Sequence, residues 1–260
     1  MSQVINTATQ FDRISRVYDE TRDSLKKTTI DKIASVLLKD GCSSILEIGI
    51  GTGRVAKPLQ DRDFRIVGLD ISMGMLLKAK EKKIERLILA DANHLPIRAK
   101  SFDAAILAHV LHIFENPTEV FRGVTGVVRK EVIALVRKRD AEPYKGSGNY
   151  NVIRQILQEA AAKVGYTLPS RRMEWRRKES ELLTALPPTK MIDVQDELIE
   201  TSIEDRLSYI EKRAFRFVVD IPDDVLQRII REVRSSLPAD AAQKKIQYRR
   251  TEQMAIWRLY

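Results

Sequence analysis

The residues with the clearest chemical meaning are Glu47-Ile48-Gly49-Ile50-Gly51-Thr52-Gly53-Arg54, which continue the strand-like run from Ser44-Ile45-Leu46 and open a helical pattern. Glycines at such a turn let the backbone fold sharply and approach a ligand with no Cβ in the way. The helix beyond offers unpaired N–H groups and a positive dipole end to an anionic group. The spacing is G-x-G-x-G, not the G-x-G-x-x-G of dinucleotide binders, and tight packing alone would also call for these glycines. Two carboxylates extend the pattern. Asp70 ends the run Arg65–Asp70, where it can accept hydrogen bonds from both ribose hydroxyls of an adenosine. It can equally cap the helix that starts near Ser72. Asp91, in Ala90-Asp91-Ala92, closes the next run and can accept a hydrogen bond from an adenine amino group. Three polar points at three consecutive strand ends converge on one crevice, so a nucleoside cofactor is expected.

The elements that must position these groups read as α/β. Between Thr29 and Val136, helical spacing (Ile30-Ile33-Val36-Leu37, and Ser72 to about Lys83) alternates with strand-like runs. Those runs are Ser44–Ile48, Arg65–Asp70, Arg86–Ala90, Ala104–Leu107 and Glu131–Val136. Apolar strands separated by helices predict a parallel sheet buried on both faces. Further on, the pattern predicts a helix over Tyr150–Lys163, a sixth strand within Tyr166–Lys178, a helical stretch from Glu181 to Leu237 and a closing strand over Gln247–Leu259. The helical stretch is too long for a connection. Residues 1–28 are therefore read as a cap, 29–180 with 244–260 as the main domain, and 181–243 as a helical insertion, either a substrate lid or a packing element.

The segments ILEIGIGTGR, GLDIS..ML..AK, ADANHLPI and SFDAAILAHVLHIFENP resemble those of class I S-adenosylmethionine-dependent methyltransferases. More narrowly, they are similar to the small-molecule branch that includes the ubiquinone/menaquinone-type C-methyltransferases. FDRISRVYDETR resembles that branch's opening helix. The resemblance implies a doubly wound, seven-stranded Rossmann-like sheet with an N-terminal helix, and S-adenosylmethionine as cofactor. Glu47, Gly49, Gly51 and Gly53 would surround its methionyl part and ribose, and Asp70 would hold the ribose hydroxyls. Ile71 and Met75 would lie against the adenine, Asp91 and Ala92 at its edge, and Ala108 beneath the sulfonium. Tyr18 and Arg22 would close over the cofactor, Arg22 pairing with its carboxylate. The sequence departs from the branch at Gly126-Val127-Val128-Arg129-Lys130, where a Pro-Gly-Gly-like turn is usual.

A sulfonium donor is already activated, so alignment dominates and can contribute about 7–11 kcal/mol. A base is needed only if the acceptor must lose a proton. His109, just after the fourth strand, is the candidate, with His112 three residues on and His94 in a loop. No metal site is expected, since no carboxylate completes a ligand set with the histidines. The single cysteine, Cys42, excludes an intramolecular disulfide and fits a reducing, cytoplasmic home. No secretory signal or membrane span is read, the longest all-apolar runs being short ones such as Val132–Val136.

The net charge of +9 is unevenly placed, with fourteen Lys/Arg against six Asp/Glu between Phe121 and Ser180. Arg137-Lys138-Arg139 follow the fifth strand, and Arg171, Arg172, Arg176, Arg177 and Lys178 surround the expected sixth. Guanidinium groups grip carboxylates and phosphates, so an anionic small-molecule acceptor is one reading and a solvated basic surface the other. An RNA or protein methyltransferase using that surface, or a non-catalytic cofactor-binding protein, are the alternatives.

Overall fold

Five apolar runs pair side by side in the computed structural model, which describes residues 2–22, 25–137, 148–168, 172–238 and 245–259. They are β1 (Ser44–Ile48), β2 (Arg65–Asp70), β3 (Leu87–Leu89), β4 (Phe102–Ala108) and β5 (Val128–Arg137), all parallel. Ile45, Leu46 and Ile48 of β1, and Ala104 to Leu107 of β4, are fully buried because side chains pack on both faces. That is why these runs are continuously apolar and do not alternate. Two more strands, β6 (Lys190–Ser202) and β7 (Lys245–Arg258), complete a seven-stranded sheet of order β3-β2-β1-β4-β5-β7-β6. β7 runs antiparallel between β5 and β6, with Ala134 opposite Ala255. The doubly wound Rossmann-like sheet is thus as expected. Its order reverses between β1 and β4, which opens a crevice at the carboxyl ends of those strands.

Two apolar layers sandwich the sheet. On one face, Ile30, Ile33 and Leu37 of α2 (Lys27–Lys39) and Leu59 of α3 (Ala56–Gln60) pack with Ile133 and Ile256; Leu76 of α4 (Met73–Glu81) joins them. On the other, Phe121 and Val124 of α5 (Pro117–Val127) meet Val132 and Trp257. The N-terminal helix, α1 (Ser2–Ile14), lies across α4.

The sixth strand is not within Tyr166–Lys178. Arg172–Ala185 is a helix (α7) that buries Leu182 at helical spacing from Glu179, and the strand stands at Lys190–Ser202, inside the stretch read as helical. The helical insertion before the last strand is present as α8 (Ile203–Glu211), α9 (Arg216–Val219) and α10 (Asp223–Ser236). It packs with α6 (Gly148–Lys163) around a core of its own. In α10, Leu226, Ile229, Ile230 and Val233 recur at i, i+3, i+4 and i+7 and are all buried. Burying each contributes roughly 1.5–3 kcal/mol. Asp223 and Asp224 sit in its first turn, where the helix dipole favours negative charge. No described helix is long and apolar enough to cross a membrane.

Candidate active site

The turn from β1 to α3 holds Gly49, Gly51 and Gly53 at φ +66°, +56° and +78°. Their reasons differ. A Cβ on Gly49 would meet Val110 Cγ2 at 2.5 Å, and one on Gly53 would meet Ile84 Cδ1 at 2.1 Å, so close packing demands both. A Cβ on Gly51 would meet nothing within 4 Å. Gly51 faces open space, the cradle that a bound ligand would fill.

Asp70 fixes that cradle. Its Oδ2 accepts from the Gly51 N–H at 2.8 Å and its Oδ1 from the Ser72 N–H at 2.9 Å. Burial pushes its carboxyl above the usual range, while the Ser72, Gly51 and Ile71 N–H groups pull it down. The N-cap of α4 is Ser72 itself, whose side chain accepts from Met75 N at 3.1 Å. Glu47 lies beneath the turn, 2% exposed, and burial raises its pKa well above normal.

A cavity of about 330 Å³ opens over this turn at the carboxyl ends of the strands. Gly49, Gly51, Asp70, Ile71 and Met75 line one side, and Asp91, Ala92, Ala108 and His109 continue around it. Tyr18 closes it from the N-terminal segment. Glu47, Gly53 and Arg22 are not in its lining. Asp91 Oδ1 accepts from Asn93 N at 3.0 Å and from Asn93 Nδ2 at 2.7 Å, a turn that holds the carboxylate in the wall.

Arg22 faces elsewhere. α1 ends at Ile14, a single 3-10 turn spans Ser15–Val17, and Arg22 sits in the turn after it, so Tyr18 and Arg22 do not share a helix. The Arg22 guanidinium donates to the Ala214 carbonyl at 3.0 Å and lies over the rings of Phe215 and Tyr18. It ties the N-terminal segment to the insertion. Two aspartates that the sequence reading missed dock the same segment on the cradle. Asp12 accepts from Ser72 Oγ at 2.6 Å and Gly74 N at 2.8 Å, and Asp19 accepts from Thr52 Oγ1 at 2.6 Å. Thr7 and Phe11 of α1, and Phe114, Asn116 and Glu119 opposite, also line the cavity. Asn116 caps α5 by accepting from Glu119 N at 3.2 Å, and nothing in the sequence tied it to the site.

α1 and the insertion are latched. Gln10 Nε2 and Arg13 donate to the two carboxylate oxygens of Asp220, and Arg216 donates to Gln10 Oε1 at 3.1 Å. Partly exposed polar contacts of this kind contribute about 1 kcal/mol. Asp220→Ala should therefore speed amide hydrogen exchange in Ser2–Ile14 by about fivefold, measured by mass spectrometry. An unchanged rate would mean the apolar contacts of Ile14, Met75 and Val219 hold the cap alone.

His109 follows β4 at φ +57°, an uncommon conformation for a residue with a side chain and one that concentrates at functional sites. Its Nε2 lies 3.7 Å from Oε2 of Glu252 on β7. About a third of its side chain is exposed, and it lines the cavity. Burial, reinforced by the charges of Arg54, Arg137 and Arg250, lowers its pKa to about 3, so the ring is neutral at pH 7. His112 is lowered likewise, by burial and then by His109, Arg137 and Arg216.

Of the basic cluster, Lys138, Arg139 and Arg171 lie outside the described residues, as do the side chains of Arg172 and Arg176. Arg177 pairs with Glu181 on the surface of α7 at 3.4 Å, and Lys178 donates to the Phe114 carbonyl at 3.2 Å. Arg137 ends β5 beside His109 and Glu252.

A seven-stranded sheet of this order, with a glycine cradle after β1 and carboxylates ending β2 and flanking β3, defines a Rossmann-like methyltransferase fold. Residues 46–136 match the family described as a methyltransferase domain. Through these residues the chain is similar to methyltransferase domains. It is 28% identical over 131 residues to a demethylmenaquinone methyltransferase of Renibacterium salmoninarum, covering 47% of this chain and 54% of that one. It is 31% identical over 136 residues to an uncharacterised protein of Methanocaldococcus jannaschii, covering 50% and 62%. The chain thus spans less than two thirds of either relative. A SAM-dependent methyltransferase structure from Thermotoga maritima superposes with a TM-score of 0.53 at 12% identity, covering 96% of this chain and 98% of that one, and shares the fold.

Proposed function

We propose that the protein transfers a methyl group from S-adenosylmethionine to a small molecule by in-line displacement. The observation that carries this reading is the open cradle at Gly51, braced by Asp70, in the floor of the cavity. The residues present suit the cofactor. Gly51 leaves room for a methionyl chain, the Asp70 carboxylate can accept from ribose hydroxyls, and Met75 and Ile71 offer an apolar face to adenine, with Asp91 and Ala92 at its edge. When bound, the cofactor supplies an electrophilic methyl group on a sulfonium. The chain's own part is to orient that group over Ala108 and exclude water, with α1 and the insertion as a lid. His109 is placed to take a proton from an acceptor that must lose one.

Calorimetric titration with S-adenosylhomocysteine tests this reading. The intact protein should bind it, and Asp70→Ala should weaken binding at least tenfold, since the ribose acceptor and the brace on Gly51 go together. Equal affinity in both proteins would overturn the assignment.

A further inference from the structure

Glu252 interrupts a buried strand. Its neighbours along β7, Met254, Ala255 and Ile256, are fully buried and apolar, while Glu252 carries a carboxyl group at 8% exposure. Its Oε2 has no hydrogen-bond partner, and that oxygen lies 3.7 Å from Nε2 of His109. A buried acceptor left without a donor costs stability, a cost that a delivered proton would remove. The sheet is irregular at the same place. The register of β6 on β7 shifts between Asp193 and Gln195, which pair with Gln253 and Glu252. Bulges of this kind re-aim side chains beside active sites. His109 lines the cofactor cavity and Glu252 does not, so the ring is the link between the cavity and the buried carboxyl.

We propose that His109 and Glu252 form a proton relay, in which His109 passes on the proton of the methyl acceptor and Glu252 Oε2 keeps it. This rests on the methyl-transfer reading above and adds the acceptor's class, a molecule whose nucleophilic oxygen, nitrogen or sulfur must lose a proton. Glu252 faces Nε2, so it selects the ring form with the proton there and leaves Nδ1 basic. The step balances. The acceptor's proton goes to Nδ1 and the Nε2 proton goes to Oε2. The nucleophile's electron pair forms the bond to the methyl carbon, and the carbon–sulfur pair stays on sulfur. A sulfonium and a carboxylate thus become a thioether and a carboxylic acid, and no imidazolium is left behind. The 3.7 Å separation is longer than a hydrogen bond, and contacts of this kind tighten when the reacting complex forms.

The surroundings suit a relay better than a lone base. Burial, then the charges of Arg54, Arg137 and Arg250, works against a charged His109 ring. Burial raises the Glu252 carboxyl above its usual range, against the pull of Arg250, Arg137 and Arg54. The groups that bear on the pair are therefore Arg54 from the β1–α3 turn, Arg137 from β5, Arg250 from β7 and His112 from the turn after β4. A proton added to the pair settles on the carboxyl before the ring, because that removes a buried charge and creates none.

Nitrogen-15 NMR of the histidine rings and infrared difference spectra of the carboxyl groups, both on the full chain, test this. As pH falls from 8 to 4, a protonated-carboxyl band should appear while the His109 ring stays neutral with its proton on Nε2. Glu252→Gln should abolish that band, with its melting temperature showing that the variant is folded. A ring protonated on Nδ1 instead would overturn the relay, since Nε2 would then have no proton to give. So would an imidazolium beside an ionised Glu252, or a pair that takes up no proton by pH 4. Calorimetry with S-adenosylhomocysteine is read separately. Binding with any of those spectra strikes the relay and leaves methyl transfer standing, whereas no binding removes the methyl-transfer reading and the relay's role with it.

Discussion

Gly51→Val is expected to lower S-adenosylhomocysteine affinity at least 100-fold while leaving the protein folded. The two requirements on this residue separate in its surroundings. Its φ of +56° is strained for any side chain, by about 1–3 kcal/mol. Yet no protein atom lies within 4 Å of where a Cβ would be, so the valine itself is not expelled by packing. Its methyls would instead occupy the floor of the cavity. Thermal melting should therefore fall by only a few degrees, while calorimetry shows binding all but lost. Retained affinity would mean that the methionyl chain does not pass this residue. The same substitution at Gly53 should fail differently, by unfolding, because its Cβ would sit 2.1 Å from Ile84 Cδ1.

Glu131→Gln should make the protein more stable at pH 8 and leave it nearly unchanged at pH 4. Glu131 is fully buried on β5, and Cys42 Sγ lies 3.7 Å from its Oε1. Burial, then its hydrogen bond to Asp40 and the Asp40 charge, raises its pKa to about 7. Asp40 is also desolvated, but Arg258 holds it ionised through bonds of 2.9 and 2.8 Å. The native state therefore keeps the Glu131 proton that the unfolded chain releases near pH 4.5. Stability is full below that value, declines as pH rises towards 7 and is level above it, a loss of roughly 2–3 kcal/mol. A glutamine cannot ionise and removes the decline. Urea denaturation at the two pH values checks this, and a wild-type midpoint that does not fall between them would refute it.

How much of this was legible in the sequence depended on how each element is buried. β1, β4 and β5 lie under apolar layers on both faces, so they read as continuous apolar runs, and the glycine turn followed from its position after β1. β6 was missed for the opposite reason. It is an edge strand paired, among the described residues, with β7 alone, and apart from Val194, Gln195, Thr201 and Ser202 its residues are exposed or half-buried. Asp193, Asp196, Glu197 and Glu200 break the apolar signal because they serve as ion-pair and hydrogen-bond partners, Asp196 for Arg249 and Glu200 for Lys245. In the site, the strand-end carboxylates were readable from their spacing. Glu252 was not, because only the antiparallel return of β7 brings it to His109, across 143 residues of sequence. Arg22, which the resemblance would set over the cofactor, turns to the Ala214 carbonyl and the Phe215 ring, contacts with the insertion that no local spacing announces.

The place of β7 has a consequence for the chain as it is made. On the ribosome, β2 to β5 can each pair with an earlier strand as they emerge, but β6 arrives before the strand it must pair with. Between the synthesis of Ser202 and that of Arg258, its backbone N–H and C=O groups have no partner in the sheet. Unpaired strands of this kind attract other chains, and charged side chains are the usual deterrent. The acidic residues that hid β6 from view therefore serve twice: they keep nascent chains apart by mutual repulsion, and then receive Arg249 and Lys245 when β7 slides in.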